Sequence, residues 1–439
     1  MQAEPTLDGL PIELKIQILS HVLDGDTLKS IVHASPGYHQ AYLVVRHELL
    51  ESLVKHQYSG FLDLAEALTA VRSKGVHFSD KMGNVISLLD NWRRRDEIRE
   101  LSQSSLHRID QSNGLEETIK LFHFHKMLCF FLEDYSVNAP RPPWIQPIQW
   151  EKECLPLLHL SHSEKCRFLR AMCRLQIMKN VFGDSVYCLK RGSCPSCRRG
   201  RKQIWQLAET DELKDVEGGY GGSVENIAYK LFYGTIPPWE YEEMGGVFRY
   251  LVSKVEAVAQ EIIDDLRQLS KNTPCERFWD ILPAEQRLPP ASEMDCEQDL
   301  VNFHLQYAGF AGLGPEFLHR ILHMDRLSRR NNLCINKRGF WPGPFIGTST
   351  GLSWDERFPF IDPADRHQAL NFEQFWATLP PLEQPTEGWK KAWLLPHEEG
   401  DTIEDCLDYN RRTETDWEWN YALWDERRLR VWEALKLCT

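Results

Sequence analysis

Residues 12 to 23 carry two apolar stripes where a surface helix has room for one. At 100° per residue, Ile12, Ile16, Leu19 and Leu23 form the first stripe, and Leu14, Ile18 and Val22 form the second. Together they span an arc of about 200°, broken only by Lys15, against the roughly 100° that a one-sided helix buries. A helix built this way needs cover on two sides, which restricts it to a bundle or an assembly. Pro11 reads as the first helical residue, where a missing amide hydrogen costs nothing. Asp26 stands where it can cap a second helix carrying Leu28, Ile31 and Val32, and Ser35-Pro36-Gly37 then breaks the chain. A third helix follows, with Tyr38, Tyr42, Val45, Leu49 and Leu53 at helical spacing.

The helical period persists down the chain. Leu62, Ala65 and Leu68 mark one segment and Leu121 to Leu132 another, while no alternating strand pattern of useful length occurs. The run APRPPWIQPIQW at 139 to 150 cannot continue a helix and reads as a boundary or surface crossing. Helical patterns resume at 152 to 182, 239 to 270 and 296 to 330, with a mobile or solvent-facing loop expected near 186 to 222. Nine of the 15 Trp lie between Trp341 and Trp432, among prolines and acids. Large aromatics in such a setting are expected to fill core between irregular segments, and Thr415 to Leu437 reads as a closing helix, with Trp417, Tyr421, Trp424 and Trp432 sharing a buried region.

Charge and hydropathy then narrow the class of partner. With 51 Lys and Arg against 64 Asp and Glu, the formal charge of −13 repels nucleic acid and anionic membranes as a whole-molecule field, so a nucleic-acid partner is not expected. The opening MQAEPTLDGL lacks the basic and apolar regions of a secretory signal, and the longest apolar run, MLCFFL, is far below the roughly 18 residues that span a bilayer. The 12 scattered cysteines form no disulfide framework. These features lead us to expect a soluble protein of cytoplasm or nucleus, with no membrane partner.

Leu10-Pro11-Ile12-Glu13-Leu14, followed by Ile18-Leu19, Val22, Leu28, Ile31 and Val32, resembles an F-box over about 45 residues. Tyr38-His39 stands where many members carry a tryptophan. In that family a three-helix unit docks on the Skp-type adaptor of cullin-RING ubiquitin ligases, and the rest of the chain recruits a protein substrate. The resemblance implies an adaptor-binding surface made of Leu10, Pro11, Leu14, Ile18, Leu19 and Val22, and it supplies a reason for the second stripe. RFLRAMCRLQIMKNVFG at 167 to 183 and WNYALWDERRL at 419 to 429 are similar to stretches in fungal F-box-like proteins of unassigned function.

Of the remaining polar groupings, Cys188, Cys194 and Cys197 are the sharpest. Cys194-Pro195-Ser196-Cys197 has the knuckle spacing that brings two thiolates to one zinc ion, with Cys188 as a third ligand, but no second paired half follows at ribbon distance. Reduced loop cysteines are the simpler reading, and no cofactor is otherwise expected. The basic residues around them, Lys190 to Lys202, read as a solvated loop balanced by the acids at 209 to 217. His123 and His125, two apart on a helix, point in different directions and read as separate core-edge histidines. Gly309, Gly312 and Gly314 do not follow the dinucleotide-binding order, and no hydrolase elbow, phosphate loop or HExxH occurs.

The expected fold is therefore mainly α: a three-helix F-box-like module at 1–55, a multi-helix domain at 56–332, and an irregular Trp-rich region at 333–439 ending in a packed helix. The expected function is non-catalytic substrate recruitment to a ubiquitin ligase. The alternative is a free-standing helical interaction or scaffold protein whose F-box-like helices are purely structural.

Overall fold

A computed structural model describes residues 7–93, 114–182, 232, 236–270, 307–336, 377, 379–393 and 419–436. The described residues are mainly helical, with no strand among them. The chain divides into two compact units, Met1–Arg72 with Asp90–Phe130, and Ser73–Leu89 with Phe131–Thr439. This division is interleaved along the chain, and the helices Phe78–Arg93 and Gly114–Asn138 each contain a unit boundary.

In the first unit, α1 (Ile12–Ser20) and α2 (Gly25–Ala34) both pack on α3 (Pro36–Tyr58). Pro11 is the residue before α1, not its first helical one: its ψ of 152° is extended, and the helical bonds begin with Lys15 N–H to the Pro11 carbonyl. The cap of α2 is Asp24 and not Asp26, since the Asp24 carboxylate accepts the Thr27 amide at 2.7 Å while Asp26 lies inside the first turn. Ser35 alone separates α2 from α3, ending one helix and capping the next by accepting the Gly37 amide. Leu19, Leu28, Val32, Tyr38, Ala41 and Leu49 make the core of this bundle. Further on, α4 (Leu64–Arg72) is tied to the start of α6 (Gly114–Asn138) by a bidentate Arg72–Glu117 pair, α5 being Phe78–Arg93.

The second unit is built on α7 (His162–Phe182) and α8 (Pro238–Ser270), which pack along each other. Nearly every side chain of α7 is buried, so this helix is covered on all sides. The segment from 152 is not one continuous helix. A π turn at Trp150–Cys154 and a 3-10 turn at Leu155–Leu157 precede α7, because Ser161 and Glu164 set a new helix start. The Glu164 amide donates to Ser161 Oγ at 3.1 Å, and the Ser161 amide to Glu164 Oε2 at 2.8 Å, a reciprocal capping box. The pattern at 296 to 330 likewise resolves into short pieces, α9 (Tyr307–Gly312), α10 (Pro315–Leu322) and α11 (Arg326–Asn336). Leu313-Gly314 separates the first two, with Pro315 as the first helical residue of α10, and the Asp325 carboxylate, accepting the Ser328 amide, starts the third.

The closing helix is shorter than expected. Asn420 takes a left-handed conformation (φ 59°), a 3-10 turn follows at Tyr421–Leu423, and α13 begins only at Glu426, running to Lys436, with α12 being Glu387–Trp393. Trp389, Trp424 and Trp432 are buried, while Trp417 lies outside the described residues. So do Cys188, Cys194 and Cys197 and the loop around them. No described helix is long and apolar enough to cross a membrane.

Candidate functional site

The structure does not divide the two stripes cleanly: Ile12 and Leu23 of the first are exposed at 42% and 58%, and Val22 of the second packs on the core. Leu19 is 1% exposed, and Ile16 and Val22 pack partly against the same core. Leu14 and Ile18, one turn apart, stay 44% and 37% exposed, with Pro11 exposed beside them and Leu10 half-buried. Of the six residues singled out by sequence, Pro11, Leu14 and Ile18 thus present their side chains outward, Leu10 and Val22 line the margin, and Leu19 belongs to the core. Ahead of them Leu7, in the 3-10 turn Leu7–Gly9, is exposed as well. Neighbouring apolar side chains left in water on one helix face form a surface that gains free energy, about 25 cal/mol per Å², when a partner covers it.

A second constellation, in the other unit, is polar and buried. Arg167, Arg170 and Arg174 recur on one side of α7, and Arg170 and Arg174 meet Glu240 and Glu243 on α8. Arg170 donates to Glu243 at 2.7 Å and lies 3.0 Å from Glu240, while Arg174 reaches Glu240 at 2.5 Å. Arg167, whose Nε lies 4.0 Å from Glu243, donates to the Leu423 carbonyl at 3.0 Å and the Asp425 carboxylate at 2.8 Å. Arg428 grips Glu164 at 2.7 Å, and Tyr421 donates to Glu242 at 2.9 Å. Burial opposes the charge on Arg170, yet Glu240 and Glu243 outweigh it and hold the guanidinium above its usual value. Burial also pushes the Glu243 carboxyl up, against the pull of Arg170. Asp425 goes the other way: burial would raise it, but hydrogen bonds from Ser161, Ser163 and Arg167 win and keep it below the usual carboxylate range.

Each of these five carboxylates is engaged by a cation or a hydroxyl, so the arrangement binds helices together. It also joins the two later segments marked by resemblance, since Arg167 belongs to one and Asp425 and Arg428 to the other. Sequence reasoning did not find this network. The signal was present in the spacing of Arg167, Arg170 and Arg174 beside that of Glu240 and Glu243.

Other candidates separate. His123 is exposed, while His125 is half-buried, its ring 5.1 Å from that of Tyr58. Burial lowers the His125 pKa, and a backbone hydrogen bond with Gln57 works in the opposite sense. Cys166 and Cys173 are buried along α7. Among the described residues no three His, Cys, Asp or Glu side chains are grouped to hold a metal ion. No family model, curated protein or solved structure matches the chain.

Proposed function

We propose that this chain is a non-catalytic, F-box-type recruiting subunit that docks on a Skp-type adaptor of a cullin-RING ubiquitin ligase and brings it a protein substrate. The docking surface is the outward face of α1, with Pro11, Leu14 and Ile18 at its centre and Leu10 and Val22 at its edge. One observation carries this reading: a nine-residue helix buries Leu19 at 1% exposure yet leaves Leu14 and Ile18 in solvent on the adjoining face. The Leu-Pro start and apolar spacing that resemble an F-box name the occupant. The alternative, that the three helices are purely structural, leaves the outward stripe without a purpose.

The test is co-purification with a Skp-type adaptor. Replacing Leu14 and Ile18 together with Glu should abolish binding while the circular dichroism spectrum and melting temperature stay unchanged, since neither side chain is core. A wild-type protein that shows no adaptor binding at micromolar concentration would overturn the proposal.

A further inference from the structure

Lys15 occupies a core position. It lies 100° around α1 from Leu14, on the same side as Leu19, and is only 8% exposed. Lysine is among the residues least often buried, and an apolar side chain there would satisfy the packing of α1 on α3. What the lysine does instead is visible in its partners. Its Nζ donates to the Asp8 carbonyl at 2.8 Å and sits 5.9 Å from the centre of the Tyr38 ring. Nζ lies 2.6 Å from where a Cβ on residue 37 would stand, so Gly37 leaves the ammonium its place. The Asp8 carboxylate in turn accepts the Ser35 hydroxyl, and Ser35 Oγ accepts the Gly37 amide at 3.2 Å.

These bonds link the turn Leu7–Gly9, the middle of α1 and the Ser35 corner between α2 and α3. They hold the course of the chain that leads into α1. With the Asp8 backbone and side chain both held, the turn Leu7–Gly9 is fixed directly ahead of Leu10 and Pro11 in the chain, and Leu7 within it is 68% exposed. A buried polar group that an apolar one could replace without loss of stability is well placed to specify geometry instead.

We infer that Lys15 is a positioning residue: through Asp8 and Ser35 it extends the docking face from α1 onto Leu7, so that the adaptor contacts Leu7 together with Leu14 and Ile18. This inference rests on the adaptor-docking reading above.

The experiment compares full-length wild type with Lys15→Met, which keeps the length of the side chain and removes the ammonium. The variant should melt no lower than wild type, bind a purified Skp-type adaptor at least about tenfold more weakly, and exchange the backbone amides of residues 8 to 10 faster in the free protein. Leu7→Ala should weaken binding several-fold in the wild type and have no further effect in Lys15→Met, a coupling that a merely structural lysine would not produce. Should Lys15→Met fail to fold, Asp8→Ala, at an exposed position, removes the Ser35 link alone and should still weaken binding about threefold. Equal binding by the wild type and the variants would overturn this inference and leave the docking reading standing. Absence of wild-type binding would overturn both.

Discussion

Arg167 on α7 and Asp425 at the start of α13 lie 258 positions apart in the chain and 2.8 Å apart in space. Asp425 also accepts hydroxyls from Ser161 and Ser163, and Arg167 also reaches the Leu423 carbonyl. Removing one partner of a buried pair costs about 3–5 kcal/mol, and the low end applies here because Asp425 is partly exposed and Arg167 keeps Glu243 at 4.0 Å. Asp425→Ala should therefore lower the unfolding free energy by about 3 kcal/mol in urea titration. The Arg167→Met/Asp425→Ala double variant should lose clearly less than the sum of the single losses.

The same carboxylate makes stability depend on acid. Its pKa is held below the unfolded value of about 3.9, so its contribution is complete above that pH and is lost as pH falls through the native value. Thermal melts between pH 6 and pH 2 should show a steeper acid decline for wild type than for Asp425→Asn. Parallel curves would exclude Asp425 as a source of the decline.

Ser161 both caps α7 and donates to Asp425. Replacing an N-cap serine by alanine typically costs about 1 kcal/mol, and the second bond adds to that. Ser161→Ala should lose about 2 kcal/mol and Ser161→Thr much less. Equal losses would mean that the hydroxyl contributes little.

Asn420 is buried in a left-handed conformation, with its side chain on Tyr135 and its Cα 3.2 Å from where a Cβ on residue 246 would stand. Gly246→Ala places that Cβ against Asn420 backbone that cannot swing aside. A destabilisation of about 1–3 kcal/mol is expected, the usual range for overpacking, and measured melting curves check it.

Deleting residues 419 to 439 removes Tyr421, Trp424 and Trp432 from the core together with two anchors of the charge network. A single buried aromatic truncated to alanine costs about 3–5 kcal/mol, while a domain is stable by only about 5–15 kcal/mol. The shortened protein should be insoluble or rapidly digested by trypsin. A soluble product with unchanged melting would show that this segment is a tail and not core.

The period of apolar residues was enough to read α1 to α3 and α8 from sequence, since each has a sustained stripe and a recognisable start or stop. Helix starts were less legible. Asp24 and Asp26 are both competent caps, and only the backbone conformation chooses between them. Ser161-His162-Ser163-Glu164 is a capping box in plain sight, but the strong apolar pattern running through 152 to 182 masked it. The excess of apolar surface on α1 was legible because an amphipathic helix should not need two apolar faces, but which residues stay exposed was not: Ile12 of the first stripe is exposed and Val22 of the second packs on the core. The Arg–Glu network was not, because charged residues read from sequence are assigned to solvent, and their burial depends on partners more than 60 positions away. Lys15 was seen only as an interruption, for the same reason.

The interleaving of the two units reaches beyond the folded state. Because residues 73 to 89 belong with the second unit while 90 to 130 return to the first, neither unit corresponds to one uninterrupted stretch of gene. On the ribosome the N-terminal helices emerge well before the last residues of their own unit, and must wait for the chain to grow past position 130. Nor can recombination transplant the N-terminal helices as a cassette with their full complement of contacts: any single crossover that keeps the first unit whole carries a piece of the second with it.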